Sequence, residues 1–330
     1  MSTIKDVAKY TGLSISTISK YLNGGNVLKE NRILIDEAVE KLGYKVNHLA
    51  RSLKTNKTKT VGILIPSLSS AFFSHIIAVI EETLIQNGYD SVICGFNFDP
   101  KLEIRKLRFL LDKNVDGIIL IPERLSADDL NSVLKVSGKQ IPLILLDRYV
   151  NDFECDTVLA DNINASYSAV ESLITKGHKR IGIIVGPPEI STAYERTIGY
   201  KRVYQDYSLP AEEQLIKVGD YSLESGYQLF NELLDTEDPP SAVFVTNYDM
   251  MLGAITAANE RGIKIPSDIS FIGYDNIELS LIINPPINIV VQPMDLMGES
   301  AAKILLKRMK GDYSSYPLML RHKSRLLFEK

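Results

Sequence analysis

Apolar positions in the first 45 residues recur at helical spacing. In residues 3–24, TIKDVAKYTGLSISTISKYLNG, one helical face carries Ile4, Val7 and Ala8. A second carries Ile18, Tyr21 and Leu22, and Gly12 lies in the turn between them. Thr3 stands where it caps the first of these helices, and Ser14 or Ser16 where it caps the second. A third amphipathic run, KENRILIDEAVEKL (29–42), stops at Gly43. Two short helices around a glycine turn are the helix-turn-helix layout, whose second helix enters a DNA major groove. Further on, Asn47 is placed to cap a short helix over 48–54. That helix is too short to be stable unless DNA or a second copy of the chain holds it. A polar linker rich in Thr, Lys and Asn follows.

From Thr60 the period changes. Continuous apolar runs at 61–66, 91–96, 117–122 and 142–147 read as buried parallel strands, separated by helical patterns near 72–87, 101–114 and 127–136. A second series has strands at 180–186, 242–247 and 269–275, with helices near 162–176, 194–207, 222–235 and 249–261. Strand–helix alternation gives right-handed crossovers and open sheets with helices on both faces. Some 270 residues exceed one comfortable core, so two lobes are expected. The fold class is therefore α/β: an all-α head and hinge helix, followed by two doubly wound parallel sheets.

Charge separates these parts. Residues 1–60 hold 11 Lys and Arg against 5 Asp and Glu, whereas the whole chain has a net charge of −4. A basic head on an acidic body suits a phosphate-binding module joined to something that need not touch DNA. On the second helix, Ile15, Ser16 and Lys20 face outward and suit base edges and thymine methyls. Thr17, Ser19 and Asn23 have the size for phosphate contacts. In the 48–54 segment, Leu53 lies between Ala50, Arg51 and Lys54. It is either a wedge for the minor groove or a residue packed on the body.

Ligands of such sheets bind beyond the carboxyl ends of the strands. The loops there carry Phe72 and Phe73, Asp147, Arg196, Tyr221, Tyr248 and Asp275. Aromatic faces with a few Asp and Arg groups suit a sugar: rings stack, and charged groups bond vicinal hydroxyls. The competing readings are a core aromatic, a structural ion pair and, for Asp249, a helix cap. No phosphate-loop, dinucleotide, zinc-protease or nucleophile-elbow motif occurs, and the four His are widely spaced, so neither an enzyme nor a metal or cofactor is expected. Cys94 and Cys155 lie in or beside apolar runs and read as core residues. No signal peptide or membrane-length run is visible, which points to a cytoplasmic protein with no membrane partner.

TIKDVA, ARSL, LITKGHKRIG and FIGYDN together resemble the LacI/GalR family of bacterial transcription regulators, and the resemblance runs over essentially the whole chain. It implies a helix-turn-helix head (1–46), a hinge helix and linker (47–59) and an effector-binding, dimerising core (60–330) of the periplasmic-binding-protein-like type I. Each lobe is then discontinuous, with crossings near Asp161, Gln292 and His322. The first lobe takes about 60–161 and 292–321, and the second about 162–291 and 322–330. The resemblance further implies DNA contacts from Thr3, Ile15, Ser16, Thr17, Ser19, Lys20, Asn23, Asn47, Ala50, Leu53 and Lys54, with Leu53 as minor-groove lever. Val46 departs from the proline that several members carry before the hinge asparagine. Arg196 and Asp275 match the family's effector-binding arginine and aspartate, and Phe72, Phe73 and Tyr221 its aromatic lining. Asp147 and Tyr248 fall where some sugar-binding members have polar contacts. Ile190 replaces an arginine of the purine-binding member, which argues against a purine.

The expected protein is a homodimeric repressor of carbohydrate use, controlled by a sugar or sugar derivative. One alternative is a corepressor-dependent member, or one controlled by a phosphocarrier protein. Another, from a different class, is a sugar-binding protein with no DNA function.

Overall fold

The structure, a computed structural model, describes residues 2–22, 25–44, 57–137, 141–275 and 286–327. The chain divides into two compact units, Met1–Thr58 and Lys59–Lys330.

In the first unit, α1 (Ile4–Thr11), α2 (Ile15–Leu22) and α3 (Lys29–Leu42) pack on Val7, Ile18, Ile35 and Ala38, all fully buried. Asp6 reaches back to cap α1, accepting from the Thr3 backbone N–H and hydroxyl at 2.8 Å each. Gly12 ends the helix in the left-handed region, at φ 69°, where a side chain would be strained. Ser14, not Ser16, caps α2, accepting from the Thr17 N–H at 3.2 Å. Tyr21 ties α2 to α3 through its hydroxyl, donated to Asp36 at 2.7 Å.

The second unit holds two six-stranded sheets. The first has the order β11-β5-β4-β3-β1-β2, from β1 (Thr60–Ile65), β2 (Asp90–Gly95), β3 (Gly117–Leu120), β4 (Leu143–Leu146), β5 (Asp156–Ala160) and β11 (Met319–His322). The second has the order β12-β10-β9-β8-β6-β7, from β6 (Ile181–Val185), β7 (Ile216–Val218), β8 (Ala242–Val245), β9 (Ser270–Tyr274), β10 (Asn288–Val291) and β12 (Arg325–Leu327). All pairings are parallel except β10 with β12. The two orders match strand for strand, so the second lobe repeats the first.

Around the first sheet lie α4 (Ala71–Gln86), α5 (Pro100–Asp112), α6 (Ala127–Ser137) and α11 (Met294–Met309). Around the second lie α7 (Asn162–Thr175), α8 (Ser191–Asp206), α9 (Leu223–Leu234) and α10 (Tyr248–Glu260). The chain passes between sheets three times: between β5 and α7, between β10 and α11, and between β11 and β12.

The apolar runs of the sequence correspond to β1–β4, β6, β8 and β9. Of the strands that escape the pattern, β7 and β12 have three residues each, β5 and β10 open on the buried polar Asp156 and Asn288, and β11, Met319-Leu320-Arg321-His322, alternates between exposed and half-buried positions. The helix α11 also escapes it. Among the described residues no helix is long and apolar enough to cross a membrane.

One buried ion pair fastens α11 to the first sheet. Arg308 donates to both oxygens of Asp156, Nε at 2.7 Å and Nη2 at 2.9 Å, and Asp156 also accepts from the Leu318 N–H at 2.8 Å. Both side chains are almost wholly excluded from water. Removing one partner leaves a charge buried without compensation, which costs about 3–5 kcal/mol. Asp156→Ala is therefore expected to lower core stability by about that amount in urea unfolding followed by circular dichroism. A loss under about 1 kcal/mol, the value of an exposed pair, would show that the pair is not needed.

Candidate functional site

The head presents an outer face on α2. Ile15 is 44% exposed, Ser16 and Lys20 are also exposed, and Thr17 and Ser19 are half-buried. The Ser14, Ser16 and Thr17 hydroxyls bond one another at 2.8 and 2.9 Å. Thr3 is exposed and engaged in its cap with Asp6. Asn23, Asn47, Ala50, Leu53 and Lys54 lie outside the described residues.

In the core, seven residues singled out by sequence converge on one cavity of about 150 Å³. Phe72, Phe73, Asp147, Arg196, Tyr221, Tyr248 and Asp275 all line it. They come from both lobes, at the carboxyl ends of β1, β4, β6, β7, β8 and β9. Ser67, Phe98, Arg148, Thr192, Asn247, Asp249 and Gln292 complete much of the wall. Ile190, in contrast, is sealed in the interior at 1% exposure and is no part of the lining.

Three of these side chains are aimed by unusual backbone. Asp147, Tyr221 and Asp275 have φ of 65°, 68° and 77°, in the left-handed region that non-glycine residues seldom enter. Asp tolerates it; for Tyr it stores strain, which concentrates at functional sites. Asp147 and Asp275 occupy equivalent places in the repeated lobes, each one residue past its strand (β4 or β9). Each donates its backbone N–H to the neighbouring strand at 2.8 Å, Asp147 to Val158 and Asp275 to Val290. The Tyr221 ring lies flush on Gly186, where a Cβ would sit 2.1 Å from the ring. Any residue larger than glycine at 186 would displace the tyrosine.

The cavity is charged, and its charged groups are largely shielded from bulk water. Asp147, Arg148, Arg196 and Asp275 are each under 10% exposed. Arg196 stacks on Tyr274, its guanidinium carbon 4.0 Å from the ring centre, and donates from Nη1 to the Thr246 carbonyl at 2.6 Å. Arg148 is held by Glu123 and by the Pro122 carbonyl at 3.2 Å. Burial pushes the Asp275 carboxyl up from 3.8 to about 6, against the pull of Arg196 and the Gln292 amide, which donates to it at 2.6 Å. Burial likewise raises Asp147, against the pull of Arg148 and Arg196. Asp147 Oδ1 and Gln292 Oε1 have no hydrogen-bond partner in the protein. A buried acceptor left so is costly, and both stand where a donor on a small molecule would reach them.

Sequence reasoning missed some of this. Asn247, not Asp249, caps α10, accepting from the Met250 N–H at 3.0 Å, and Asp249 is instead half-buried in the wall. Arg148, next to Asp147 in the chain, is a lining residue that sequence reasoning does not single out. Glu103, fully buried on α5, gave no signal. Its carboxylate accepts from the Glu123 N–H at 2.9 Å and so fixes the loop that holds Arg148, and burial raises it to about 7. Cys94 and Cys155 are free and buried. No cluster of three or more His, Cys, Asp or Glu able to hold a metal occurs among the described residues.

Comparison with known proteins bears on both units. Residues 3–47 match the model for bacterial regulatory proteins of the lacI family. Residues 58–318 match that for periplasmic binding proteins and the sugar binding domain of the LacI family. The HTH-type transcriptional repressor PurR of Actinobacillus pleuropneumoniae serotype 3 is 35% identical over 96% of this chain and 94% of its own. The lac repressor dimer bound to operator and the anti-inducer ONPF superposes with a TM-score of 0.87 at 26% identity, covering 100% of this chain and 98% of that one. A LacI family regulator from Enterococcus faecium with bound ribose gives 0.72 at 30% identity, over 82% and 97%. A three-helix head with the outer face of its second helix exposed, a repeated two-lobed core and a charged cavity between the lobes agree with these matches, and the chain belongs to the LacI family of bacterial regulatory proteins.

Proposed function

We propose that this protein is a homodimeric, cytoplasmic repressor whose operator affinity is set by a small neutral sugar held in the interlobe cavity. The observation that carries the reading is the convergence of seven polar and aromatic side chains from both lobes on one small cavity. A volume of about 150 Å³ lies well below the ~300–1,000 Å³ of drug-sized sites, so the ligand is of the order of one sugar ring. Phe72 and Phe73, edge to face at 5.3 Å, offer it an apolar wall. Asp147 and Asp275 accept from its hydroxyls. The two arginines of the lining, Arg148 and Arg196, are matched by three carboxylates, Asp147, Asp249 and Asp275. That balance leaves no excess positive charge for a phosphate and favours an uncharged ligand. The buried Ile190 offers no cation to a purine.

In this mechanism Ile15, Ser16 and Lys20 of α2 read bases, while Thr3, Thr17, Ser19 and Asn23 hold phosphates. Asn47, Ala50, Leu53 and Lys54 form a hinge that orders on DNA, with Leu53 as wedge. Ligand closes or twists the lobes, the paired hinges lose their mutual support, and the head releases. Because a ligand shifts such an equilibrium only by its differential affinity, the closed cavity must bind it better than the open one.

Two outcomes test this. In thermal melts against neutral monosaccharides, sugar phosphates and purines, one neutral sugar at a hundredfold excess over its Kd should raise Tm by roughly 5 °C. Arg196→Ala should abolish that shift yet still bind an operator selected from random DNA. A response to phosphates or purines alone, or an unchanged Arg196→Ala, contradicts the ligand reading.

Asp275 adds a pH signature. Its folded value, about 6, lies above its ordinary 3.8, so its ionisation works against folding above pH 6 and that penalty fades as pH falls toward 4. Asp275→Asn should therefore melt higher than the native protein at pH 8 and at the same temperature near pH 4. Sugar affinity should run the other way, falling below pH 6 as the carboxylate gains a proton. Parallel melting curves at every pH would exclude the assignment.

A further inference from the structure

The cavity arginine continues into the boundary between the lobes through three other side chains. Arg196 Nε donates to Asn162 Oδ1 at 2.9 Å. Asn162 Nδ2 donates to Glu195 Oε2 at 3.2 Å. Glu195 in turn accepts a fork from Arg321, Nη2 to Oε1 at 2.7 Å and Nη1 to Oε2 at 3.0 Å. Glu195 belongs to α8 of the second lobe, whereas Arg321 lies on β11 of the first sheet. Asn162 is the first residue of α7, immediately after the chain leaves β5 for the second lobe.

Asn162 and Glu195 have little freedom. Asn162 is fully buried, and all its bonding capacity is used. Besides the two bonds above, its amide donates to the Ala160 carbonyl at 3.3 Å, and its oxygen accepts from the Tyr274 hydroxyl at 3.4 Å. A donor-only guanidinium on one side and a carboxylate on the other fix which way the amide points. Glu195 is 4% exposed, and both its oxygens are taken by the fork. A bidentate pair constrains direction as well as distance, and here the Glu195 carboxylate is buried while the Arg321 side chain is about one-third exposed. A second ion pair between the lobes, Arg124 with Glu189, is looser, at 3.5 Å with both side chains about half exposed. Water screens such a pair, and it holds no fixed angle.

We propose that Arg321 and Glu195 are positioning residues that lock the angle between the lobes to the seating of Arg196. A shift of Arg196 onto a ligand pulls on Asn162 at the first crossing and, through Glu195, on the strand that leads to the third. The backbone is joined at the same place, where the Asp161 N–H donates to the His322 carbonyl at 2.8 Å. The two crossings therefore move together, which gives the cavity a rigid handle on the lobe angle. The inference rests on the ligand reading only in making Arg196 the group that engages ligand; the clamp itself is testable without any ligand.

The test is a spin-label distance between the lobes of the full-length, ligand-free protein. Labels go on Lys135→Cys and Gln205→Cys, both exposed, while the native Cys94 and Cys155 are buried. Labelled protein is diluted into excess unlabelled protein so that distances within one subunit dominate. Arg321→Met and Glu195→Gln should each widen the distance distribution and shift it longer. Arg196→Lys, which keeps the charge but loses the Nε donor, should do the same from within the cavity. Arg321→Lys, which keeps the charge but loses the fork, should shift the distribution less than Arg321→Met does, and Arg124→Met should leave it unchanged. Folded Arg321→Met and Glu195→Gln proteins with the native distribution overturn the clamp. A native distribution in Arg196→Lys overturns its link to the cavity. Should Arg321→Met fail to fold, Glu195→Gln and Arg196→Lys decide the question alone.

Discussion

Charges taken out of water at a boundary between two bodies must be satisfied from both sides. That requirement organises the core. Arg196, Asp275, Asp147, Arg148 and Glu195 are all nearly inaccessible, and they lie where the carboxyl ends of two parallel sheets face each other. Arg148 is satisfied from the first lobe by Glu123, Arg196 from the second by Asn162 and the Thr246 carbonyl, and Glu195 from across the boundary by Arg321. In the cavity two acceptors, Asp147 Oδ1 and Gln292 Oε1, still lack donors. A polar network left partly unsatisfied is expensive, and a hydroxylated ligand is what completes it. Binding and lobe geometry are then linked, because the cavity's Arg196 is bonded through Asn162 to the Glu195–Arg321 pair that crosses between the lobes.

The repeat makes this possible. Two sheets with the same strand order place equivalent residues opposite each other, and Asp147 and Asp275 are such a pair. Both sit in left-handed backbone one residue past the strand. The strain at Tyr221 belongs to the same design, with the ring clamped on Gly186 and its hydroxyl 3.4 Å from Thr192. Such features favour a cavity shaped before its ligand arrives.

Much of this was legible in the chain. Runs such as Gly117–Leu120 are buried on both faces, so their residues are uniformly apolar and read as parallel strands. The cavity residues were legible because they stand at strand ends, where ligands of open sheets bind. Other features could not be read. The strand β11 carries Arg321 and His322 because it sits at a sheet edge and serves the lobe boundary, which hides its pattern. Glu103 and Asp156 look like surface carboxylates and become buried only through partners 20 and 152 residues away. Left-handed φ at Asp147 and Tyr221 is set by the loops around them and leaves no mark in composition.

The central claim is that cavity and head are two ends of one equilibrium, and linkage gives it a direct measure. Sugar affinity should be determined by calorimetry for the free protein and again for the protein saturated with its operator. The account predicts that operator-bound protein binds the sugar more weakly, and by the same factor by which the sugar weakens operator binding. Equal sugar affinities in the two states would contradict it.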